Sequence, residues 1–310
     1  MAGEGFGPGH RSLGREIYFY APGLKRYETS EFSQRNPQGF VPISVTGGDC
    51  ALQCEHCKGK LLQWMRPAVG KGTLFQLCRR LAESGTEGVL ISGGSDARGM
   101  VPLLRYADEL KRVKEELGLT VLVHTGLVDE ALARALEAAG IDGAMLDVIG
   151  ADETIRDVYH LEAVVADYEQ SLALLARYGV PTVPHIVLGL HHGKLLGEEA
   201  ALRLVAGYPI SALVLVVITP MDGTPMEGIS PPGAGDLGRF FERARLLLPD
   251  TPVVLGCARP LGETKKAIDR LAVDAGLNGI AYPAEGTVSY AKSKGLTPRF
   301  RETCCSLIPS

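Results

Sequence analysis

The chain has 310 residues, and 32 Lys and Arg stand against 36 Asp and Glu, which gives a formal net charge of −4. This near-balance excludes proteins that bind nucleic acid or an anionic membrane through an excess of positive charge. Hydrophobic residues make up 45% and charged residues 22% of the chain, as in globular proteins with a large core, so disordered and coiled-coil classes are also excluded.

Neither the start of the chain nor its apolar runs indicate a membrane. The first residues carry no apolar stretch of the kind found in secretory leaders. The longest apolar run, Ile210 to Ile218, is far shorter than the roughly 20 residues that a membrane span requires. We therefore expect a cytoplasmic protein that binds neither membrane nor nucleic acid. Because cytosolic thiols stay reduced, clustered cysteines there indicate metal or redox chemistry.

After an irregular N-terminal arm, short apolar runs alternate along the chain with longer segments of helical periodicity. The predicted strands are Pro42–Thr46, Gly88–Ser92, Thr120–His124, Gly143–Asp147, Val183–Leu188, Ala212–Thr219, Pro252–Gly256 and Gly279–Tyr282. The predicted helices between them are Thr73–Ser84, Val101–Leu117, Glu130–Ala139, Val164–Tyr178, Glu198–Ala206, Leu237–Leu248 and Thr264–Ala275.

This alternation predicts an α/β fold, a TIM-like (β/α)8 barrel that closes on itself. An open doubly wound sheet is the alternative, which is disfavoured because no G-x-G-x-x-G motif follows the first strand. We expect three parts: an N-terminal arm (1–40), the barrel (41–295) and a C-terminal tail (296–310) that folds back onto the barrel mouth.

Three cysteines follow the first predicted strand directly. In the sequence GGDCALQCEHCKGK, Cys50, Cys54 and Cys57 have the spacing C-x3-C-x2-C. A loop at this end of a barrel strand lies on the face where barrel active sites form. Three thiolates can hold three irons of a four-iron cluster and leave the fourth iron open. Zinc is the weaker alternative, because no fourth ligand with the usual pair spacing is close.

The motif at this position resembles the signature of the radical S-adenosylmethionine (SAM) superfamily. The resemblance implies that Cys50, Cys54 and Cys57 hold a [4Fe-4S] cluster whose open iron binds SAM. An electron from an external donor would then cleave SAM to methionine and a 5'-deoxyadenosyl radical, which abstracts hydrogen from an unactivated carbon.

The resemblance also implies contacts to SAM elsewhere at the barrel mouth. The pair Gly93–Gly94 would let backbone carbonyls reach the SAM amino group, although Ser95 stands where the family often has Glu. Polar residues at strand ends favour the active-site face, and a structural role is the alternative for each. The SAM-binding residues expected on these grounds are His56, Gly93, Gly94, Ser95, His124, Asp147, Gly189 and Met221.

A narrower resemblance rests on the arm IYFYAPGLKRYET, the motif LGCARPLG and the closing YPAEGTVSYAKSKG followed by CCS. These stretches resemble the biotin-synthase-related branch, which contains the two-protein lipoyl synthases. That branch implies an octanoylated carrier domain as substrate and a paralogous radical SAM protein as partner.

The other four cysteines fall into two groups. Cys78 lies on the apolar side of a predicted helix, where a buried structural thiol is expected. Cys257 ends the seventh strand, and Cys304 and Cys305 lie in the tail. If the tail folds over the mouth, these three thiols can hold the auxiliary iron–sulfur cluster that sulfur-inserting relatives consume, with Ser306 or Arg259 as an additional ligand. The alternative is three unrelated thiols.

The sequence therefore predicts a radical SAM enzyme for C–H activation and sulfur insertion, as one half of a lipoyl synthase. One alternative is a radical SAM enzyme of biotin-synthase type with another substrate and no sulfur insertion. The other is a non-catalytic iron–sulfur protein.

Overall fold

The computed structural model describes residues 14–23, 26–219 and 221–308. Its strands are β1 (Glu16–Tyr20), β2 (Phe40–Ser44), β3 (Arg66–Pro67), β4 (Gly88–Ser92), β5 (Thr120–His124), β6 (Gly143–Asp147), β7 (Thr182–Leu188), β8 (Leu213–Val217), β9 (Val253–Leu255), β10 (Gly279–Ala281) and β11 (Thr297–Arg301). Within the described ranges they form one sheet in the order β11-β1-β10-β9-β8-β7-β6-β5-β4-β2-β3, and each neighbouring pair is parallel.

Helices connect most of these strands. They are α1 (Thr73–Glu83), α2 (Ala107–Leu117), α3 (Glu130–Ala139), α4 (Asp152–Tyr159), α5 (Val165–Arg177), α6 (Glu198–Val205), α7 (Ala234–Leu247), α8 (Glu263–Asp274) and α9 (Thr287–Ser293), with short 3-10 helices at Lys60–Trp64 and Leu103–Tyr106. Helix α3 is an example of how capping residues determine where a helix begins and ends. The Asp129 carboxylate accepts a hydrogen bond from the Leu132 amide at 2.8 Å, and Gly140 ends the helix at φ 63°. None of the described helices is long and apolar enough to cross a membrane.

The predicted α/β fold of TIM-barrel type is confirmed. Each of the eight predicted strands is present, as β2 and as β4 to β10. Strands such as β5 and β6 are buried on both faces, which explains their continuous apolar sequences.

Three further strands change the edges of the sheet. The described part of the arm is less irregular than expected, because β1 lies between β10 and β11 and extends the sheet. Residues 1–13 of the expected arm lie outside the described residues. Strand β3 pairs with β2 on the opposite side. A closed barrel would join β10 to β2, but in the described residues these strands pair with β1 and β3 instead. The sheet is therefore a curled, open barrel, and the expected closure is wrong.

The apolar side chains form two separate cores. The larger one lies between the convex face of the sheet and the helices. The smaller one fills the concave face, and it brings tail residues together with strand residues from most of the sheet: Tyr20, Phe40, Leu122, Met145, Val183, Val214, Val254, Tyr282, Cys304 and Cys305. The tail therefore lies inside the curl of the sheet.

A buried ion pair fixes the chain after β9. Arg259 and Asp269 are fully buried, with Nε to Oδ1 at 2.6 Å and Nη2 to Oδ2 at 3.2 Å. The guanidinium also donates to the carbonyls of Gly256 and Tyr282, and the carboxylate accepts from the Ala284 amide at 2.7 Å. The pair thus joins the end of β9, helix α8 and the loop after β10, where Cys257 is held.

We expect Asp269→Ala to lower the free energy of unfolding by about 3–5 kcal/mol, because it leaves a buried guanidinium without its carboxylate. Chemical denaturation measures the loss. Asp274→Ala on the same helix is the control: it removes exposed contacts with Lys294 and the Tyr290 hydroxyl and should cost at most about 1 kcal/mol. Equal losses in the two variants would contradict a special role for the buried pair.

Candidate active site

The Cys50–Cys57 loop connects β2 to the 3-10 helix Lys60–Trp64. Its tight turn is closed by the Cys54 carbonyl, which accepts from the amides of Cys57 at 3.2 Å and Lys58 at 2.9 Å. Gln53 and Lys58 flank this turn with φ of 47° and 45°, in the left-handed region that non-glycine residues seldom adopt. Such strain is typical of functional loops that the surrounding structure holds in place.

The Gly93–Gly94 loop after β4 packs directly against the cysteine loop. A Cβ atom on Gly94 would lie 2.0 Å from the Asp49 carbonyl oxygen and 2.5 Å from the Cα of Cys50. Two hydrogen bonds hold the loops together, from the Gly94 amide to Thr46 Oγ1 at 2.7 Å and from the Ala51 amide to the Ser95 carbonyl at 2.8 Å. Glycine is therefore required at 94 for the two loops to meet.

A cavity of about 490 Å³ lies between the same two loops. Cys50 and Asp49 line one side of it, and Gly94, Ser95 and Asp96 line the other. The loops after β2 and β4 therefore border one space.

The thiols of the loop differ in their protonation. The hydrogen bond from Cys54, assisted by one from His56, lowers the pKa of Cys57 to about 4. The same contact with Cys57, together with burial and nearby Cys50, raises the pKa of Cys54. At least one thiolate is therefore present at neutral pH, which is the form that binds metal.

A group of polar side chains lies on the concave face beside the loop. The rings of His56 and Tyr159 are 5.4 Å apart, and the Tyr159 hydroxyl donates to Asp147 Oδ2 at 3.3 Å. Asp147 Oδ1 lies 3.6 Å from His124 Nε2, and the His124 and His185 rings are 5.7 Å apart. One donor atom each from His124, Asp147 and His185 lies within 4.8 Å of the others, close enough to bind one polar ligand together.

The charges of this group follow from its position deep in the curl of the sheet. Burial alone would raise the pKa of Asp147, but the nearby imidazoles, His124 foremost, outweigh it and lower the pKa to about 2. Burial, with the neighbouring His124, lowers the pKa of His185 to about 4. A carboxylate therefore faces neutral His185 near pH 7.

A second thiol site lies further along the same concave face. Cys257 Sγ is 3.9 Å from Cys305 Sγ, and both tail cysteines are buried. The hydrogen bond from Cys305 lowers the pKa of Cys304 to about 7, and the nearby Ser306 amide and hydroxyl and His124 contribute to a smaller extent. The three thiols that the sequence predicted to meet are thus brought together, and His124 lies between them and Asp147.

Two buried hydroxyl groups beside these thiols have no hydrogen-bond partner among the described residues, Ser306 Oγ and Tyr20 Oη. Burial raises the pKa of Tyr20, and the nearby Cys305 and Cys304 add to this effect. Buried hydroxyls normally find a partner, so an unmatched pair next to three thiols indicates a missing polar group. Arg259, the other expected ligand, uses its donors on Asp269 and two carbonyls.

The remaining predicted residues are more dispersed. Gly189 follows β7 at φ 81°, with its amide bonded to Glu198, and Met221 begins a turn closed by Thr224. Cys78 is fully buried in the outer core, as expected. Tyr159 was not predicted from the sequence, because it lies in α4, which was not predicted either. His185 and Tyr20 were not predicted because they lie within largely apolar strands, where the sequence gives no separate signal for one polar side chain.

Comparison with known proteins agrees with this geometry. The profile of the Radical SAM superfamily matches residues 44–195, which include the cysteine loop, the Gly93–Gly94 loop and the polar group. The chain belongs to the radical SAM superfamily. Members of this superfamily use a [4Fe-4S] cluster and SAM, and the strained loop with its low-pKa thiol fits such a cluster.

In sequence, this radical SAM chain is similar to biotin synthases. It is 23% identical to biotin synthase of Chlorobium limicola over 76% of the chain and 72% of that protein, and 24% identical to that of Halorhodospira halophila over 86% and 81%. The biotin-synthase-related branch is thereby supported.

Two solved structures share the fold. Methylornithine synthase superimposes with a TM-score of 0.62 at 17% identity, covering 95% of this chain and 87% of that one. A maturase of the [FeFe]-hydrogenase gives a TM-score of 0.63 at 14% identity, covering 94% and 66%.

We expect Gly94→Ala to reduce the iron bound at the loop severalfold after anaerobic reconstitution, because the new Cβ displaces Asp49 and Cys50. It should also lower the free energy of unfolding by about 1–3 kcal/mol. Gly48→Ala is the matched control in the same loop, since its Cβ would meet nothing within 4 Å. Iron analysis and denaturation measure both effects. Wild-type iron content in Gly94→Ala would contradict the assigned contact.

The depressed pKa of His185 predicts acid sensitivity. Between pH 6.5 and pH 4 the unfolded chain binds a proton at this residue and the folded chain does not, so stability falls as the pH falls, by at most about 3 kcal/mol. His185→Gln should flatten this part of the stability profile. Denaturation at pH 7 and pH 5 measures it, and an unchanged pH dependence in the variant would contradict the shift.

Proposed function

We propose that the chain is a radical SAM enzyme that inserts sulfur at unactivated carbons, as one half of a lipoyl synthase acting on a protein-bound octanoyl chain. The observation that carries the proposal is the second thiol site on the concave face. A radical SAM enzyme that only abstracts hydrogen has no need of three clustered thiols with two unmatched hydroxyls beside them.

Cys50, Cys54 and Cys57 would hold the [4Fe-4S] cluster. When bound, this cluster supplies the electron that cleaves SAM and leaves an iron open for the SAM amino acid group. The Gly93–Gly94 loop presents backbone groups to the same cavity, and Ser95 lines it. We therefore assign the methionine end of SAM to this cavity.

Asp147 and His124 would bind the rest of SAM. Asp147 is ionised at neutral pH, and a carboxylate accepts hydrogen bonds from ribose hydroxyls. Tyr159 and His56 lie between Asp147 and the cysteine loop, so their rings can border the adenosine. Gly189 and Met221 are kept as further SAM contacts on the grounds of resemblance.

Cys257, Cys304 and Cys305 would hold the auxiliary cluster that donates sulfur, with Ser306 as the additional ligand. Ser306 is favoured over Arg259 because its buried hydroxyl has no hydrogen-bond partner among the described residues, whereas the guanidinium already bonds to Asp269 and two carbonyls. His124 lies between this site and Asp147, so a substrate carbon in the cavity can be close to both sites. This arrangement suits abstraction of hydrogen followed by carbon–sulfur bond formation.

Two alternatives differ from this proposal in what they require. A biotin-synthase-type enzyme without sulfur insertion needs one cluster and no tail thiols. A non-catalytic iron–sulfur protein needs no SAM cavity, which the Gly93–Gly94 loop provides here.

We expect two iron–sulfur clusters per chain after anaerobic reconstitution, and Cys304→Ala should lower the iron and sulfide content by about half. The remaining cluster is the one at the Cys50–Cys57 loop. Cys78→Ala is the control, because it removes a buried thiol from the outer core and should leave the iron content unchanged. One cluster per chain, unaffected by Cys304→Ala, would overturn the auxiliary site.

Substrate identity needs a separate measurement. The protein, alone and with a related radical SAM protein, is incubated anaerobically with SAM, a reductant and an octanoylated carrier-domain peptide, and the peptide mass is determined. We expect a mass gain corresponding to sulfur, which Cys304→Ala abolishes. No gain in either condition would refute the octanoyl assignment while leaving SAM cleavage untouched.

A further inference from the structure

The chain segment that follows the cysteine loop has an unusual charge. Between His56 and Ala82 there is no Asp or Glu, although the whole chain has a formal net charge of −4. The same segment contains six basic residues, Lys58, Lys60, Arg66, Lys71, Arg79 and Arg80. Residues 58–71, which include the edge strand β3, are called the basic edge below.

The basic edge also exposes large apolar side chains. Leu61 is 45% exposed, Trp64 64% and Val69 58%. Trp64 is the only tryptophan of the chain. Tryptophan and arginine together are enriched in protein–protein interfaces and depleted on surfaces that face only water. The combination indicates a docking surface.

The basic edge begins at the cluster ligands themselves. The Lys58 amide donates to the Cys54 carbonyl at 2.9 Å, and the Lys60 amide donates to the Cys57 carbonyl at 2.8 Å. At its other end, Val69 Cγ2 lies 3.4 Å from the position that a Cβ on Gly47 would take, in the turn before Cys50. The basic edge is therefore adjacent to both ends of the cysteine loop.

Some of the basic side chains already have partners within the chain, and others do not. Lys58 pairs with Glu55, and Lys60 donates to the Asp222 carbonyl. Arg66 and Lys71 are exposed, and no carboxylate pairs with either of them in the described part of the chain. These two cations are available to the carboxylates of a partner.

We infer that the basic edge docks an acidic redox protein that delivers the electron for SAM cleavage. The inference rests on the radical SAM part of the proposed function. In each turnover the donor is oxidised by one electron, a carbon–sulfur bond of SAM breaks, and methionine and a 5'-deoxyadenosyl radical form. Opposite charges accelerate such encounters, and an acidic donor on this surface would lie beside the loop that holds the cluster.

Two other occupants fit the observations less well. An acidic carrier domain must deliver its acyl chain to the concave face, where Asp147 and the tail cysteines lie. The basic edge instead includes β3, the edge strand at the end of the sheet opposite β11. A second copy of this surface would place like charges against each other.

Binding is tested first, because it needs no turnover. The fluorescence of Trp64 is followed during titration with an acidic ferredoxin that contains no tryptophan. We expect saturable quenching that weakens with salt, and a dissociation constant about tenfold higher in the double variant Arg66→Glu, Lys71→Glu. The control Lys265→Glu, Lys266→Glu makes the same change of charge on α8 and should bind as wild type does.

The rate of 5'-deoxyadenosine formation gives the second readout. With reduced ferredoxin as the donor, the double variant Arg66→Glu, Lys71→Glu should form 5'-deoxyadenosine about tenfold more slowly than wild type. With dithionite as the donor, the two rates should be equal. Equal losses in the α8 control, or wild-type rates and binding in the variant, would overturn the inference. Saturable quenching of Trp64 fluorescence by an octanoylated carrier domain, and not by ferredoxin, would also overturn it. If dithionite supports no SAM cleavage in wild type, the radical SAM function itself fails, and the binding result still decides the docking surface.

Discussion

The contact between Gly94 and the backbone of Asp49 and Cys50 is the constraint on which the site depends. A parallel sheet places the loops after β2 and β4 side by side, but only a residue without Cβ lets them touch. The touching loops orient the three thiols and enclose the cavity next to Cys50. Because the thiols and the glycine loop are fixed to each other, a cluster and the ligand of its open iron would share a single site.

The curl of the sheet brings the second half of the site to the first. Strand β1 lies between β10 and β11, so the tail that follows β11 returns to the concave face and buries Cys304 and Cys305 beside Cys257. The buried Arg259–Asp269 pair fixes the end of β9, which carries Cys257, against helix α8 and the loop after β10. The polar group around His124 and Asp147 then lies between the two thiol sites, where a substrate must be placed if hydrogen abstraction and sulfur transfer act on one carbon.

The fold and the first thiol site could be predicted from the sequence because both depend on local patterns. Buried parallel strands have continuous apolar sequences, and the spacing of Cys50, Cys54 and Cys57 is compact. The open edges could not be foreseen in this way, since β3 has only two residues and β11 gains its pairing from β1. His185 and Tyr20 could not be predicted as site residues, because the role of a polar group inside an apolar strand depends on the residues that face it in the folded chain. The unmatched hydroxyl of Ser306 is likewise a property of packing.

The central claim is that the Cys50–Cys57 loop supports reductive cleavage of SAM. Quantifying 5'-deoxyadenosine after anaerobic incubation of the reconstituted protein with SAM and dithionite tests it most directly. Formation of 5'-deoxyadenosine by wild type and by Cys78→Ala, together with its loss in Cys54→Ala, is the predicted result. No 5'-deoxyadenosine from reconstituted wild type, or undiminished formation by Cys54→Ala, would contradict the account.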